Sequence, residues 1–221
     1  AFASDQAPTV DWDTVAKIRE EGLQRSEVMD IVGYMTDVLG ARLTLSEDMK
    51  RAQAWAKDKM GKLGLTNVVV APFMDYGAAW DNEYFSLHML EPDYQPMVGF
   101  PLAHTAGTKG KVVCSAVIAS DIQTKKDLDR YRGKLKGAAV VLQCESGMPG
   151  AVRGFARPGT KDDKWSREKT LGTLPIIAVT PEHYNRMYRI LKRNIPVKIE
   201  AEVRNRVGEK VEKAANVIGE F

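Results

Sequence analysis

The sequence predicts an α+β fold in which a β-rich module is inserted between two end segments that belong together. Three helices are expected within residues 11–63, and strand-like segments dominate from residue 67 to about residue 205, with one helix among them. The chain then closes on an apolar strand, residues 214–221. A terminal strand needs a partner for its backbone groups, and residues 67–73 are the candidate. These observations place the two ends of the chain in one layer.

Three helices are predicted in the first part of the chain. Asp11 caps the first, which Gly22 interrupts; Ser26 caps the second, which stops at Gly40; Ser46 begins the third. Acidic residues open the third helix and lysines close it, which suits the helix dipole. The apolar stripes of these helices are wider than two strands can cover. We therefore expect the end segments to belong to a layer whose remainder lies outside these 221 residues.

The β-rich module is expected to centre on an unbroken apolar run, residues 138–142. A run with no polar face is typical of a central strand that is buried on both sides. Its expected neighbours are residues 110–119, 174–179 and 196–203.

Two local patterns add to this module. One helix is predicted where Thr180 can cap and Pro181 occupies the first helical position. Its apolar face consists of Tyr184, Met187, Ile190 and Leu191. Residues 84–90 alternate in polarity, which predicts a strand with Phe85, Leu87 and Met89 on one face.

The charge and the hydropathy of the sequence argue against a nucleic-acid-binding surface and against a membrane span. The net charge of +3 is too small to indicate a nucleic-acid surface, and no basic run is interleaved with aromatic residues. No apolar stretch approaches the roughly 18 residues of a membrane span. Residues 1–4 have the small-x-small pattern of a signal-peptidase site, which predicts a secreted or periplasmic protein.

Cys114 and Cys144 both lie on predicted core strands. They are either two buried thiols or one bridge, and a bridge requires Cα atoms within about 7 Å of each other.

The residues do not contain a complete active site, so we assign no catalytic residue and no metal ligand. The three histidines, His88, His104 and His183, are far apart in sequence, and neither a His-Glu-x-x-His motif nor a cysteine pair with zinc spacing occurs. His88 is predicted on a strand edge and His183 in the first turn of a helix. His104 lies in a loop with glycine and hydroxyl side chains, where it is a candidate substrate contact.

A long loop, residues 145–173, is rich in glycine, arginine, lysine and aspartate. Loops of this length are typically functional or mobile. Arg153 and Arg157 are candidate contacts for a substrate carboxylate. The alternative interpretation is a solvated loop, since the glycine spacing fits no phosphate-binding motif.

Several short motifs occur in a fixed order along the chain. They lie at residues 25–30, 35–46, 52–56, 62–68, 107–112, 131–137, 181–184 and 216–218. In this order they resemble the zinc-dependent exopeptidases of metallopeptidase family 28, in the branch of plasma glutamate carboxypeptidase-like (carboxypeptidase Q-like) enzymes.

The resemblance implies a domain organisation. Residues 1–80 would supply the N-terminal helices and first strand of the peptidase domain, residues 81–205 an inserted protease-associated (PA) domain, and residues 206–221 a second peptidase strand. The family holds two zinc ions with His, Asp and Glu residues and uses a further Glu as general base. Those motifs follow the strand at 216–218 and would lie beyond Phe221. We therefore expect no cofactor in this chain and two zinc ions in the parent enzyme.

The function predicted from this resemblance is the N-terminal and PA-domain portion of a secreted zinc exopeptidase, either an aminopeptidase or a carboxypeptidase acting on short peptides. Such a portion would be non-catalytic alone, and would cover the active-site cleft and select substrates. Its expected partners are the rest of the catalytic domain, short peptides and a second copy in a homodimer. The alternative is a self-contained protein-interaction or peptide-binding module that uses the apolar end segments as its interface.

Overall fold

The computed structural model describes residues 10–119, 122, 124–141 and 166–221. Helices and strands occur together in the α+β arrangement that the sequence predicts. The α-helices are α1 (Trp12–Gln24), α2 (Val28–Gly33), α3 (Glu47–Lys62), α4 (Arg167–Leu171) and α5 (Pro181–Lys192). The strands are β1 (Thr66–Glu91), β2 (Gln95–Pro96), β3 (Gly99–Pro101), β4 (Val112–Ile118), β5 (Ala139–Val141), β6 (Ile177–Val179) and β7 (Lys198–Glu220). A π-helical turn (Tyr34–Val38) follows α2, and a 3₁₀ helix spans Lys125–Tyr131.

Two long antiparallel strands, β1 and β7, form the spine of the molecule. They pair from Thr66↔Glu220 at one end to Glu91↔Lys198 at the other. The main sheet has the order β2-β1-β7-β4-β5, but β2 pairs with β1 only near His88, and β4 pairs with β7 only over residues 198–201. Over the rest of their length β1 and β7 form a two-stranded ribbon among the described residues.

The ribbon confirms the predicted partnership of the two chain ends, because Val69 lies opposite Ile218. It also joins two segments that the sequence suggested were separate strands, residues 67–73 and 84–90. β1 runs through both of them, and β-bulges absorb the irregular stretch between them. Bulges bend a strand and increase its twist without ending it.

A hydrophobic core closes around the Glu91 end of the spine. Met89, Leu87 and Val197 are its most buried members, and α5 packs against it through Met187. Tyr184, Ile190 and Leu191 lie beside this cluster, which confirms the predicted helix and its apolar face. Phe85 also packs there, on the face predicted for the alternating segment.

The predicted central position of residues 138–142 is wrong. β5 pairs in parallel with β4 over three residues and is the outermost strand of the sheet within the described residues. Val140 is 40% exposed. The centre is occupied instead by the long β1–β7 ladder, whose pairing an apolar run cannot reveal. β6, expected beside this run, pairs with β3 in a separate two-stranded sheet.

The helical segment agrees with the sequence at two of its three predicted caps and differs at Gly22 and Ser26. Asp11 and Ser46 accept backbone hydrogen bonds at the starts of α1 and α3. α1 continues through Gly22 to Gln24, because one glycine costs a helix only about 1 kcal/mol. Glu27, not Ser26, precedes α2, although the Ser26 hydroxyl accepts a 3.3 Å hydrogen bond from the Val28 amide.

One face of the ribbon is covered by α3. The Gln53 side chain donates a 2.8 Å hydrogen bond to the Ala215 carbonyl, and Val68 lines a shallow depression with Ala54 and Gly61 of the helix. The π-helical turn is held against the outer side of α3, where Tyr34 stacks on Trp55 with ring centroids 5.3 Å apart.

The predicted domain boundaries, 80/81 and 205/206, fall inside the two long strands. Asp81 lies opposite Arg206 in the ladder, so both boundaries cut the spine at one level. Both strands run without interruption through that level. The division into a peptidase part and a PA domain stays a prediction.

Candidate functional site

His104 is the one predicted site residue within the described part of the chain. It lies in the loop between β3 and β4, with a backbone φ of 57°, in the left-handed region that histidine tolerates better than most residues. Only 5% of the residue is exposed, and its ring centroid lies 6.3 Å from that of Trp80. Burial lowers the pKa of His104 from 6.5 to about 4, so the imidazole is neutral at pH 7.

Hydrogen bonds from three different parts of the chain hold the loop around His104 in place. The Thr105 carbonyl accepts hydrogen bonds from Trp80 Nε1 at 2.9 Å and from Asn205 Nδ2 at 3.0 Å. The Ala106 amide donates to Thr173 Oγ1 at 2.9 Å. At Gly107 the loop approaches β7 so closely that an added Cβ would lie 2.5 Å from the Val203 carbonyl oxygen. These contacts fix the His104 loop against the spine.

The other two predicted substrate contacts, Arg153 and Arg157, lie outside the described residues, as does Cys144. Cys114 is a free, half-buried thiol, and burial raises its pKa. A raised pKa keeps the sulfur protonated at pH 7 and makes it a poor nucleophile.

The other two histidines lie on different elements from His104. His88 is half-buried on β1, where its Nδ1 lies 3.1 Å from the Tyr94 hydroxyl and the two rings stack. His183 lies in the first turn of α5. Among the described residues no three His, Cys, Asp or Glu side chains gather where they could hold a metal ion. These residues therefore do not fit a zinc site.

The ribbon also carries an exposed apolar face. Val69 and Ile218 are directly opposite each other, so their side chains share a face, and they are 46% and 52% exposed. Val68 and Gly219 point to the other face, beside α3: an added Cβ on Gly219 would lie 3.1 Å from Val68 Cγ2. Phe73, further along β1, is 58% exposed. We call the surface around Val69 and Ile218 the open face.

The first two helices extend this exposure. Neither α1 nor α2 contains a buried residue. Their large apolar side chains are exposed by 45% to 76%: Trp12, Ile18, Leu23, Val28, Met29 and Val32. Monomeric soluble proteins rarely expose large contiguous apolar patches. The sequence predicts this feature through the excess apolar stripe of the helices.

Sequence reasoning missed an ion cluster where α3 meets the spine. Asp81 accepts hydrogen bonds from the Glu47 amide and from Arg206, each at 2.8 Å. Arg206 also lies 3.5 Å from the Glu47 carboxylate and 3.4 Å from that of Glu83. Asp81 and Arg206 are 125 residues apart, so no local pattern signals their contact.

Among the described residues, no helix combines the length and the apolar character needed to cross a membrane.

Comparison with known proteins establishes the fold. The crystal structure of a peptidase M28 precursor from Shewanella amazonensis SB2B matches 93% of this chain with a TM-score of 0.59 and 21% identity. At this identity the likeness shows the fold, and the predicted M28-type fold is confirmed. The chain spans about half, 53%, of that peptidase. No family model and no curated protein matches the sequence.

Two further solved structures are similar to a lesser degree. An aminopeptidase from Aneurinibacillus sp. strain AM-1 matches 90% of this chain, at 17% identity and a TM-score of 0.44, over 49% of its own length. A zinc aminopeptidase from Bacillus subtilis matches 86%, at 14% identity and a TM-score of 0.44, over 45% of its length.

Proposed function

We propose that this chain is a non-catalytic portion of a secreted zinc exopeptidase of metallopeptidase family 28 that acts on short peptides. The observation that carries the proposal is the fold, which is shared with about half of an M28 peptidase over 93% of this chain. The ordered motifs of the sequence support the same family. The described residues do not fit a zinc site, so the proposal assigns the two zinc ions and the general base to the rest of the parent enzyme.

The open face gives the chain its role in that enzyme. Val69 and Ile218 present an apolar surface on the side of the ribbon that α3 leaves uncovered. A sheet with an apolar face must bury that face against another layer of the domain. The rest of the catalytic domain is therefore the proposed partner of this face.

The proposed PA domain, residues 81–205, would cover the active-site cleft and help select substrates. Arg153 and Arg157 are its proposed contacts with a substrate carboxylate. His104 would reach a substrate only if its loop left Trp80 and Asn205, since the side chain is buried between spine and loop in the structure.

Peptide hydrolysis tests the first part of the proposal. The 221-residue chain, incubated with zinc and aminoacyl or short-peptide substrates, is expected to show no turnover. Co-expression with the polypeptide encoded downstream of Phe221 is expected to give zinc-dependent hydrolysis that a chelator abolishes. Chelator-sensitive turnover by the chain alone would overturn the assignment of the chemistry to the missing half. A downstream reading frame without a peptidase segment would overturn the family proposal.

A charge placed on the open face tests the proposed partner. Ile218→Asp is expected to abolish reconstitution of activity, because it puts a carboxylate into an apolar interface. Val113→Asp is the matched control, since Val113 is equally exposed, at 53% against 52%, but lies on β4. Equal loss of reconstitution in both variants would contradict the proposed interface.

The same open face favours one alternative, a homodimer that is complete without a catalytic half. In that case Ile218→Asp would convert a dimer to a monomer in sedimentation equilibrium, and the downstream polypeptide would not displace the second copy. Displacement by that polypeptide favours the peptidase.

A further inference from the structure

Three strand pairs beside the start of α3 are bounded by register shifts on both sides. Trp80, Asp81 and Asn82 pair in regular register with Val207, Arg206 and Asn205. Register shifts lie on either side, between Ala78 and Trp80 and between Asn82 and Tyr84. We call these three pairs the junction. Two of the six register shifts along the ribbon flank the junction, and β-bulges bend a strand, so the spine can bend on either side of these three pairs.

The two faces of the junction are held by different forces. Trp80 and Val207 share one face and belong to a small apolar cluster with Ala78, against which Leu43 and Ala103 pack. Adjacent residues on a strand point to opposite faces, so Asp81 and Arg206 lie on the other face. That face carries the ion cluster and the start of α3.

Asp81 is the centre of this cluster. Its side chain is 14% exposed, and its two oxygens have separate partners. One accepts from the Glu47 amide, one of the backbone donors that the first turn of a helix leaves unsatisfied. The other accepts from Arg206 on the opposite strand. A carboxylate at this position also stabilises the positive end of the helix dipole.

One further contact, made by Lys50, connects α3 to β7. Lys50 lies 3.3 Å from the Glu47 carboxylate and 3.2 Å from that of Glu212 on β7. The start of α3 is thus tied to β1 through Asp81 and to β7 through Arg206 and Glu212.

From these contacts we infer that Asp81 and Arg206 form a clamp that locks the spine at the junction. The clamp fixes the direction in which β1 and β7 leave the α3 layer, and therefore the position of the closed core and α5 relative to α3. Asp81 and Arg206 are positioning residues in this role. The inference stands on contacts within these residues and does not depend on the proposed function.

Distance measurement between the two layers tests the clamp. Spin labels are attached at Lys57→Cys on α3 and Asn185→Cys on α5, both exposed positions, in a background with Cys114→Ser and Cys144→Ser. Asp81→Ala and Arg206→Gln are each expected to broaden the label–label distance distribution, whereas Arg206→Lys retains most of the native width. The matched control is Glu91→Gln, which removes the 2.7 Å cross-strand pair with Lys198 at the other end of the same two strands. Native widths in both junction variants, or equal broadening in Glu91→Gln, would overturn the inference.

Amide exchange distinguishes the clamp from a general loss of stability. In Asp81→Ala the Glu47 amide is expected to exchange about tenfold faster, since it loses a charge-assisted hydrogen bond. The Met49 amide, which Ser46 caps at 3.1 Å within the same turn, should change by less than about twofold. Equal acceleration of both amides would reject the clamp.

If Asp81→Ala does not fold, the unsubstituted chain in about 1 M salt provides the second measurement, because screening weakens the partly exposed Arg206 contacts. An unchanged distance distribution in high salt would then count against the clamp.

Discussion

The two ends of the β1–β7 spine have similar apolar sequences and opposite environments. At the closed end, Met89 and Val197 are each 1% exposed, because they lie in a core to which α5 contributes Met187 and β4 contributes Ala116. At the open end, Val69 and Ile218 remain about half exposed, with α3 on one side only. Strand composition alone therefore does not determine burial along this ladder. What decides burial is whether a second layer is present on each face.

This difference has an energetic consequence. Apolar area contributes about 25 cal/mol for each Å² removed from water, so the exposed side chains at the open end contribute little to the folded state. The closed end is expected to carry most of the stability of the isolated chain, and the helices beyond the open end are expected to open locally.

The largest expected effect is in hydrogen exchange. Amides of α5 should exchange only through global unfolding, while amides of α1 should exchange at least about a thousandfold faster, because α1 has no buried residue. Mass spectrometry of peptides from the two helices measures the contrast. Uniformly strong protection across residues 11–63 would show that the open end is as cooperative as the closed end.

A matched pair of methionines on β1 tests the same contrast by mutation. Met89→Ala removes a side chain that is 1% exposed and should lower the free energy of unfolding by about 3.5 kcal/mol. Met74→Ala, at a position 48% exposed, should cost about 0.5 kcal/mol or less. Urea denaturation followed by tryptophan fluorescence gives both values. Similar costs for the two variants would remove the energetic basis of the comparison.

The buried imidazole of His104 predicts how stability depends on pH. Its pKa is about 4 in the folded chain and near 6.5 when unfolded, so the unfolded state binds the extra proton between these values. The contribution of neutral His104 to the free energy of unfolding is therefore fully present above about pH 6.5. It is lost as the pH drops towards 4, by about 3 kcal/mol at most. His104→Asn tolerates the left-handed backbone and should flatten this slope in a series of urea titrations. An unchanged slope in that variant would assign the pH dependence to other groups.

Local signals explain what the sequence could predict. Pro181 and apolar residues at helical spacing specify α5 without reference to the rest of the fold, and Thr180 occupies the N-cap position without a side-chain hydrogen bond to the helix. Asp11 and Ser46 likewise mark the starts of α1 and α3 through side chains that satisfy nearby amides. The pairing of the two chain ends was predictable for a related reason, since a terminal apolar strand must find a partner.

Long-range pairing explains what the sequence could not predict. The run at residues 138–142 identifies a strand, but its place at the sheet edge depends on the β1–β7 ladder, which pairs residues more than a hundred positions apart. The burial of His104 depends on Trp80 and Asn205, and the Asp81–Arg206 contact joins distant strands. None of these partners is adjacent in sequence, so no local pattern indicates them.

The smallest effect comes from the two helix caps, and it shows how far cooperativity extends. Ser46 is 4% exposed at the start of α3, which packs on the spine, so Ser46→Ala should lower the free energy of unfolding by about 1 kcal/mol. Asp11 accepts hydrogen bonds from the Asp13 and Thr14 amides, each at 3.1 Å, and so stabilises α1 in the way that Ser46 stabilises α3. Because α1 opens locally, Asp11→Ala should reduce helicity in circular dichroism and leave the urea midpoint unchanged. A midpoint shift equal to that of Ser46→Ala would mean that α1 unfolds together with the spine, and the boundary between closed and open regions would then lie before residue 11.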